Sequence, residues 1–95
     1  MNRQEYLLTC LSEEAAEIIQ AVGKAQRFGL DDDFFDESPK QAIIRELNDF
    51  MAVIELLDEY CDAGFWPWED AEMIEAKKKK VLKYIEYSEK KGTLK

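Results

Sequence analysis

Drawn as an α-helix, residues 39–63 are apolar over most of the circumference, and this feature constrains the fold most strongly. The main apolar face consists of Ile43, Ile44, Leu47, Phe50, Met51, Ile54 and Cys61, and a second strip consists of Ala42, Val53, Leu56, Leu57 and Tyr60. A helix of this kind is largely buried and needs neighbours on more than one side. A chain of 95 residues offers few of them. We therefore expect a homodimer or a homotetramer.

Two further segments, residues 3–28 and 68–88, show apolar side chains at the same helical period. We find no strand alternation, internal repeat or linker between them. The sequence therefore predicts an all-α fold, an antiparallel helical bundle of three main helices completed by oligomerisation. The helices are expected at about 3–28, 39–63 and 68–88 of a single domain 1–95, with a frayed tail at 89–95.

The helix boundaries are marked by local signals. Ser38, Pro39 and Gln41 form a capping-box sequence with proline at the first helical position, which predicts the start of the second helix. Gly29 and Gly64 are placed to end the first and second helices. Between the helices lies an acidic loop, residues 29–38, which lacks the glycine and the terminal glutamate of a calcium-binding loop.

Charge and composition exclude several classes of function. The net charge of −8 disfavours nucleic acid as a partner, and the absence of histidine excludes Ser-His and Cys-His catalysis. Cys10 and Cys61 are far apart and predict reduced thiols. The polar N-terminal residues and the lack of an apolar run of about 18 residues predict a cytoplasmic protein without a membrane segment.

Four carboxylates occupy positions that solubility does not explain. Glu14 and Glu17 lie three residues apart at the border of the first apolar stripe, whereas Glu13 falls nearly opposite. Glu46 and Asp49, also three residues apart, fall inside the second apolar strip of residues 39–63. A buried carboxylate is costly unless it is paired or bound to a cation.

Two interpretations of this pattern remain open. A divalent cation shared by the four carboxylates would offset their repulsion, and a ligand set made only of oxygen suits Mg²⁺ or Mn²⁺ better than Ca²⁺. Alternatively, Glu14 and Glu17 form ordinary salt bridges. Their partners would then come from Lys24, Arg27, Arg45 or the lysines of the third helix.

The acidic motifs resemble those of a known family. Residues 13–17 (EEAAE), followed after 28 residues by residues 46–49 (ELND), resemble the Glu-Glu-x-x-Glu … Glu-x-x-Asp signature of MazG-like nucleotide pyrophosphohydrolases, in the all-α NTP pyrophosphatase superfamily. The match covers the first two helices and the three-helix plan. It implies Mg²⁺-dependent cleavage of a (d)NTP to a monophosphate and pyrophosphate. It also implies Glu14, Glu17, Glu46 and Asp49 as metal ligands, with Glu13 in an accessory role.

The polyphosphate also needs cations from the protein. Residues 65–95 carry a net charge of +2, with lysines at positions 77–80. Lys78 falls inside the apolar stripe of the third helix and Lys77 at its edge, so these two are the candidate phosphate-binding residues; the alternative is a solvated basic face. The aromatic residues Phe34, Phe35, Trp66 and Trp68 suit either base stacking or packing in a core or dimer interface.

Two other functions fit the same sequence. One is an enzyme of the same fold with a different substrate, such as phosphoribosyl-ATP. The other is a non-hydrolytic acidic helical dimer that binds nucleotide or a protein partner.

Overall fold

The structure, a computed structural model, describes residues 1–95. It is all-helical, with α1 at Arg3–Phe28, α2 at Pro39–Cys61 and α3 at Ala71–Lys91, and it contains no strand. The prediction of an all-α protein with three helices is confirmed. None of these helices combines the length and the hydropathy that crossing a membrane requires.

Side-chain caps fix the start of α1 and α2. The Asn2 side chain accepts a hydrogen bond from the Glu5 backbone N–H at 2.8 Å. At the start of α2 the capping box is complete: the Ser38 hydroxyl accepts from the Gln41 N–H at 3.2 Å, and the Gln41 side chain accepts from the Ser38 N–H at 2.9 Å. These bonds satisfy N–H groups that a helix start leaves without partners.

α2 ends at Cys61, two residues before the predicted end at 63. Asp62 adopts the left-handed conformation (φ 50°, ψ 44°), and its N–H bonds back to the Asp58 carbonyl at 3.2 Å. Asp58 also accepts the Phe65 N–H at 2.7 Å. The helix therefore stops at a left-handed aspartate, a residue that tolerates this conformation, before Gly64 is reached.

α3 begins and ends three residues later than predicted, at Ala71 and Lys91 rather than 68 and 88. Asp70 caps the start by accepting the Met73 N–H at 3.0 Å. Gly92 (φ 79°) caps the end, and the Thr93 N–H bonds to the Ser88 carbonyl at 3.1 Å. The frayed tail predicted at 89–95 is therefore wrong for its first three residues, because the glycine cap carries the helix to Lys91.

The chain divides into two compact units, Met1–Phe65 with α1 and α2, and Trp66–Lys95 with α3. In the first unit, Arg3 near the start of α1 lies 5.8 Å from the ring of Tyr60 near the end of α2, so the two helices run antiparallel. In the second unit, every residue of α3 except Ser88 is exposed.

The core of the first unit is small. Its buried apolar residues are Ala21 of α1 and Val53, Ile54 and Leu57 of α2, and Leu57 is completely buried. Val53 and Leu57 belong to the second apolar strip, so this strip and the edge of the main face pack on α1. Ile44 and Leu47 of the main face remain 54% and 49% exposed.

Replacement of Leu57 tests this core. We expect Leu57→Ala to lower the free energy of unfolding by about 2–5 kcal/mol, because it leaves a cavity in the α1–α2 interface. The matched control Leu8→Ala removes a side chain that is 42% exposed and should cost less than about 1 kcal/mol. Urea denaturation followed by circular dichroism measures both, and equal losses would contradict the assignment of Leu57 to the core.

Candidate metal centre

The antiparallel packing of α1 and α2 brings four carboxylates together. Glu14 and Glu17 lie on one face of α1, and Glu46 and Asp49 lie on one face of α2. One carboxylate oxygen from each residue can be chosen so that all four lie within 4.8 Å of one another. We call these four residues the carboxylate cluster. Their spacing is compatible with the shared coordination of one cation.

The carboxylate cluster is buried at one end and open at the other. Glu46 is only 7% exposed, and Glu14 is half-buried. Glu17 is exposed, and 48% of the Asp49 side chain is accessible. A ligand from solvent would therefore meet Glu17 and Asp49 first, with Glu46 at the base of the site.

Two oxygen atoms of the carboxylate cluster lack partners. Glu14 Oε2 and Glu46 Oε2 are both buried, and neither accepts a hydrogen bond. A buried polar oxygen left in this state costs free energy, and more so when it carries charge. A cation or shared protons would offset this cost. The two unpartnered oxygens therefore indicate, apart from the mere number of acidic residues, that these side chains fit a divalent metal.

Mutual repulsion also affects the protonation of the carboxylate cluster. The adjoining carboxylate of Glu46, and after it the negative charge of Glu14, raise the pKa of Glu17 above its usual value. The site therefore favours a proton on Glu17 more than an isolated glutamate would. A bound cation would compete with that proton, because it neutralises the same oxygens.

Arg45 is the only arginine or lysine of the first unit that pairs with the carboxylate cluster. Its Nη1 donates to Glu46 Oε1 at 2.7 Å and lies 3.8 Å from Asp49 Oδ2. Hydrogen bonds from Arg45 also lower the pKa of Glu37. The salt bridges expected at Glu14 and Glu17 as an alternative are not formed with Arg45, which pairs with acids of α2 and the loop instead.

The sequence pattern does not predict that Arg45 and Glu37 belong to the site. It offers Arg45 as a partner of Glu14 or Glu17, although its position directly before Glu46 and four residues before Asp49 is compatible with the contacts observed. Glu37 lies eight residues from Arg45 across a helix start, and no helical spacing indicates that pair.

The remaining predicted site residues lie outside the carboxylate cluster. Glu13 is exposed on α1 and contributes no oxygen to the cluster, which agrees with its position on the helical projection. Lys77 and Lys78 are exposed on α3, where they line a surface depression together with Ile74, Val81 and Leu82. Lys78 Nζ also pairs with Glu75 at 3.1 Å.

The aromatic residues of the acidic loop form a surface cluster. Phe35 contacts Phe28 and Phe34 edge to face, with centroid distances of 6.1 and 5.1 Å. Phe34 is 83% exposed. The loop is tied to α2 by an ion pair between Asp31 and Lys40 at 2.8 Å.

Comparisons of the chain with protein-family models, with curated proteins and with solved structures each find no match.

A charge-removing variant tests the repulsion within the carboxylate cluster. Because the pKa of Glu17 is raised in the folded state, its ionisation opposes folding at neutral pH, and this penalty disappears once pH falls below the unfolded-state value. We therefore expect Glu17→Gln, assayed in EDTA, to melt at a higher temperature than the wild-type protein at pH 7. The difference should vanish near pH 4, about the pKa of a free glutamate.

Glu13→Gln is the matched control for this prediction, since it removes the same charge outside the carboxylate cluster. It should give no comparable gain at pH 7. A lower melting temperature for Glu17→Gln at pH 7 would contradict the proposed repulsion.

Proposed function

We propose that this protein is a MazG-like, Mg²⁺-dependent nucleoside triphosphate pyrophosphohydrolase that cleaves a (d)NTP to the monophosphate and pyrophosphate. The observation that carries the proposal is the carboxylate cluster, whose four ligand oxygens lie within 4.8 Å and include the buried, unpartnered Oε2 of Glu46. The resemblance of residues 13–17 and 46–49 to the family signature supports the same function.

In this proposal Glu14, Glu17, Glu46 and Asp49 hold Mg²⁺, with Mn²⁺ as a substitute. A bound divalent metal of this kind neutralises charge on a polyphosphate and lowers the pKa of coordinated water. Cleavage of a phosphoanhydride depends mainly on positioning and electrostatic stabilisation, so a site without histidine is sufficient for the chemistry.

The other candidate residues have distinct roles in this function. Glu13 takes the accessory role that the family resemblance implies, and it does so from an exposed position outside the carboxylate cluster. Lys77 and Lys78 bind the phosphates of the substrate, because an ammonium group offers three donors and a full charge to phosphate oxygens. The side chains of Glu17 and Asp49 are accessible to solvent, so a ligand can reach the carboxylate cluster from this side.

A homodimer or homotetramer is part of the proposal. Two observations support it: Ile44 and Leu47 on α2 are about half exposed, and no residue of α3 is buried. Apolar helix faces of this extent are usually covered by another chain in small helical proteins.

Replacement of the cluster residues on α2 tests the catalytic function. We expect Glu46→Gln and Asp49→Asn each to lower Mg²⁺-dependent pyrophosphate release by at least about 100-fold. Losing only a hydrogen-bond partner of a metal ligand already lowers metal affinity or activity by about 10–100-fold. Helicity by circular dichroism should be unchanged. The control Glu55→Gln removes an exposed glutamate from the same helix and should keep full activity. Unchanged turnover in both cluster variants would contradict the proposal.

The substrate panel for this assay separates the remaining alternatives. NTPs, dNTPs and phosphoribosyl-ATP are compared under the same conditions, and turnover of the last compound alone would favour the same fold with a different reaction. A nucleotide-induced rise in melting temperature without any product would favour a non-hydrolytic binding protein.

Light scattering tests the oligomeric state. We expect a mass of two or four times 11.1 kDa at micromolar concentration. Leu47→Glu should lower this mass, because it places a charge in an apolar contact. The control Ile19→Glu changes an α1 residue that is 72% exposed and should leave the mass unchanged. A monomeric wild-type protein would contradict the expectation.

A further inference from the structure

The contact between Arg45 and Glu46 is not one that helix geometry alone produces. Adjacent residues on an α-helix point about 100° apart and do not face each other. Even so, Arg45 Nη1 lies 2.7 Å from Glu46 Oε1. The long Arg45 side chain therefore reaches sideways across the helix surface, an orientation that a partner outside α2 can stabilise.

Glu37 provides that anchor. Arg45 Nε lies 3.0 Å from Glu37 Oε2 and 3.3 Å from Oε1, and Nη2 lies 3.0 Å from Oε1. A guanidinium bound by two of its nitrogens has a defined plane and direction, unlike a point charge. Glu37 directly precedes Ser38, whose capping box fixes the backbone at the start of α2. The anchor is thus attached to a rigid point of the fold.

The guanidinium in turn determines which oxygen of Glu46 is free. Oε1 accepts the hydrogen bond from Arg45, whereas Oε2 is buried without a partner. Glu46 is also 93% buried, being only 7% exposed, so solvent does not compete for its orientation. One oxygen of this carboxylate is engaged and the other remains available in the carboxylate cluster.

We propose that Arg45, held by Glu37, is a positioning residue that orients the Glu46 carboxylate so that Oε2 is presented to a divalent cation in the carboxylate cluster. This inference rests on the metal site of the proposed function. It adds two residues, one from the loop and one from α2, to the four that would hold the ion. It also connects the loop between α1 and α2 to cation affinity.

Positioning and simple electrostatics predict opposite effects for one substitution. A positive charge beside a cation site lowers affinity by Coulomb repulsion, so removal of Arg45 would tighten binding if charge alone mattered. If Arg45 orients Glu46, its removal weakens binding despite the loss of that repulsion. The sign of the change in affinity therefore separates the two.

The experiment measures Mn²⁺ binding to the full chain without nucleotide, from the electron paramagnetic resonance signal of free Mn²⁺. We expect Arg45→Gln and Arg45→Lys to weaken binding about 10–100-fold, the usual effect of losing a partner of a metal ligand. Lysine keeps the charge but cannot engage Glu37 and Glu46 with a planar fork. Glu37→Gln should weaken binding in the same direction, and Glu37→Gln combined with Arg45→Lys should weaken it no further than Arg45→Lys alone.

Lys40→Gln is the matched control. Lys40 is a cation of α2 that pairs with the loop residue Asp31 at 2.8 Å, and it is not among the partners of the carboxylate cluster. Its removal should leave Mn²⁺ affinity unchanged or slightly increased. Circular dichroism of each variant verifies that the helices remain folded.

The outcomes distinguish this inference from the metal site itself. Wild-type binding of Mn²⁺ that is lost in Glu46→Gln, together with unchanged or tighter binding in Arg45→Gln, would overturn the positioning role and leave the metal site standing. No Mn²⁺ binding by the wild-type protein would overturn both.

Discussion

The repulsion among four carboxylates in the α1–α2 interface is the constraint on which the first unit depends. Two helices that are otherwise held together by a few buried apolar residues bring like charges within 4.8 Å of one another. The hydrogen bond from Arg45 to Glu46 compensates in part. Two buried oxygens nevertheless remain without hydrogen-bond partners, so the interface is not completed as a packed core.

The buried carboxylate of Glu46 lowers the stability of the first unit. An apolar residue at the position of Glu46 would extend the core formed by Val53 and Leu57, whereas the carboxylate interrupts it. Unpaired buried charge is tolerated in natural proteins mainly where it binds something, and sites of this kind are often the least stable part of a fold. Because the core of Met1–Phe65 is small, the free-energy cost of this buried charge is large relative to the total free energy of unfolding.

Local sequence signals predicted much of this structure. The capping box at Ser38 and the helical periods identified α1 and α2 nearly to the residue, and the placement of Glu46 inside an apolar strip indicated the acidic site. The bounds of α3 were wrong because residues 65–69 contain no N-cap side chain before Asp70, and because Gly92 rather than Ser88 marks the end. Both faces of α2 are apolar, so periodicity could not decide which one packs on α1. The pairing of Arg45 with Glu37 depends on side-chain conformations across a helix start, which spacing does not encode.

The loop between α1 and α2 contains positions that tolerate insertions and positions that do not. Its ends are joined by a hydrogen bond from the Lys40 N–H to the Leu30 carbonyl at 3.0 Å, and the cap and the anchor lie together at Glu37 and Ser38. Doubling the length of a flexible loop costs only about 0.6 kcal/mol in closure entropy. Insertions between residues 31 and 36 would therefore change the surface next to the site at little cost. Insertions directly after Glu37 would break the connection from the loop through Arg45 to Glu46. The tip of the loop is therefore the part of this helical hairpin that tolerates evolutionary change best.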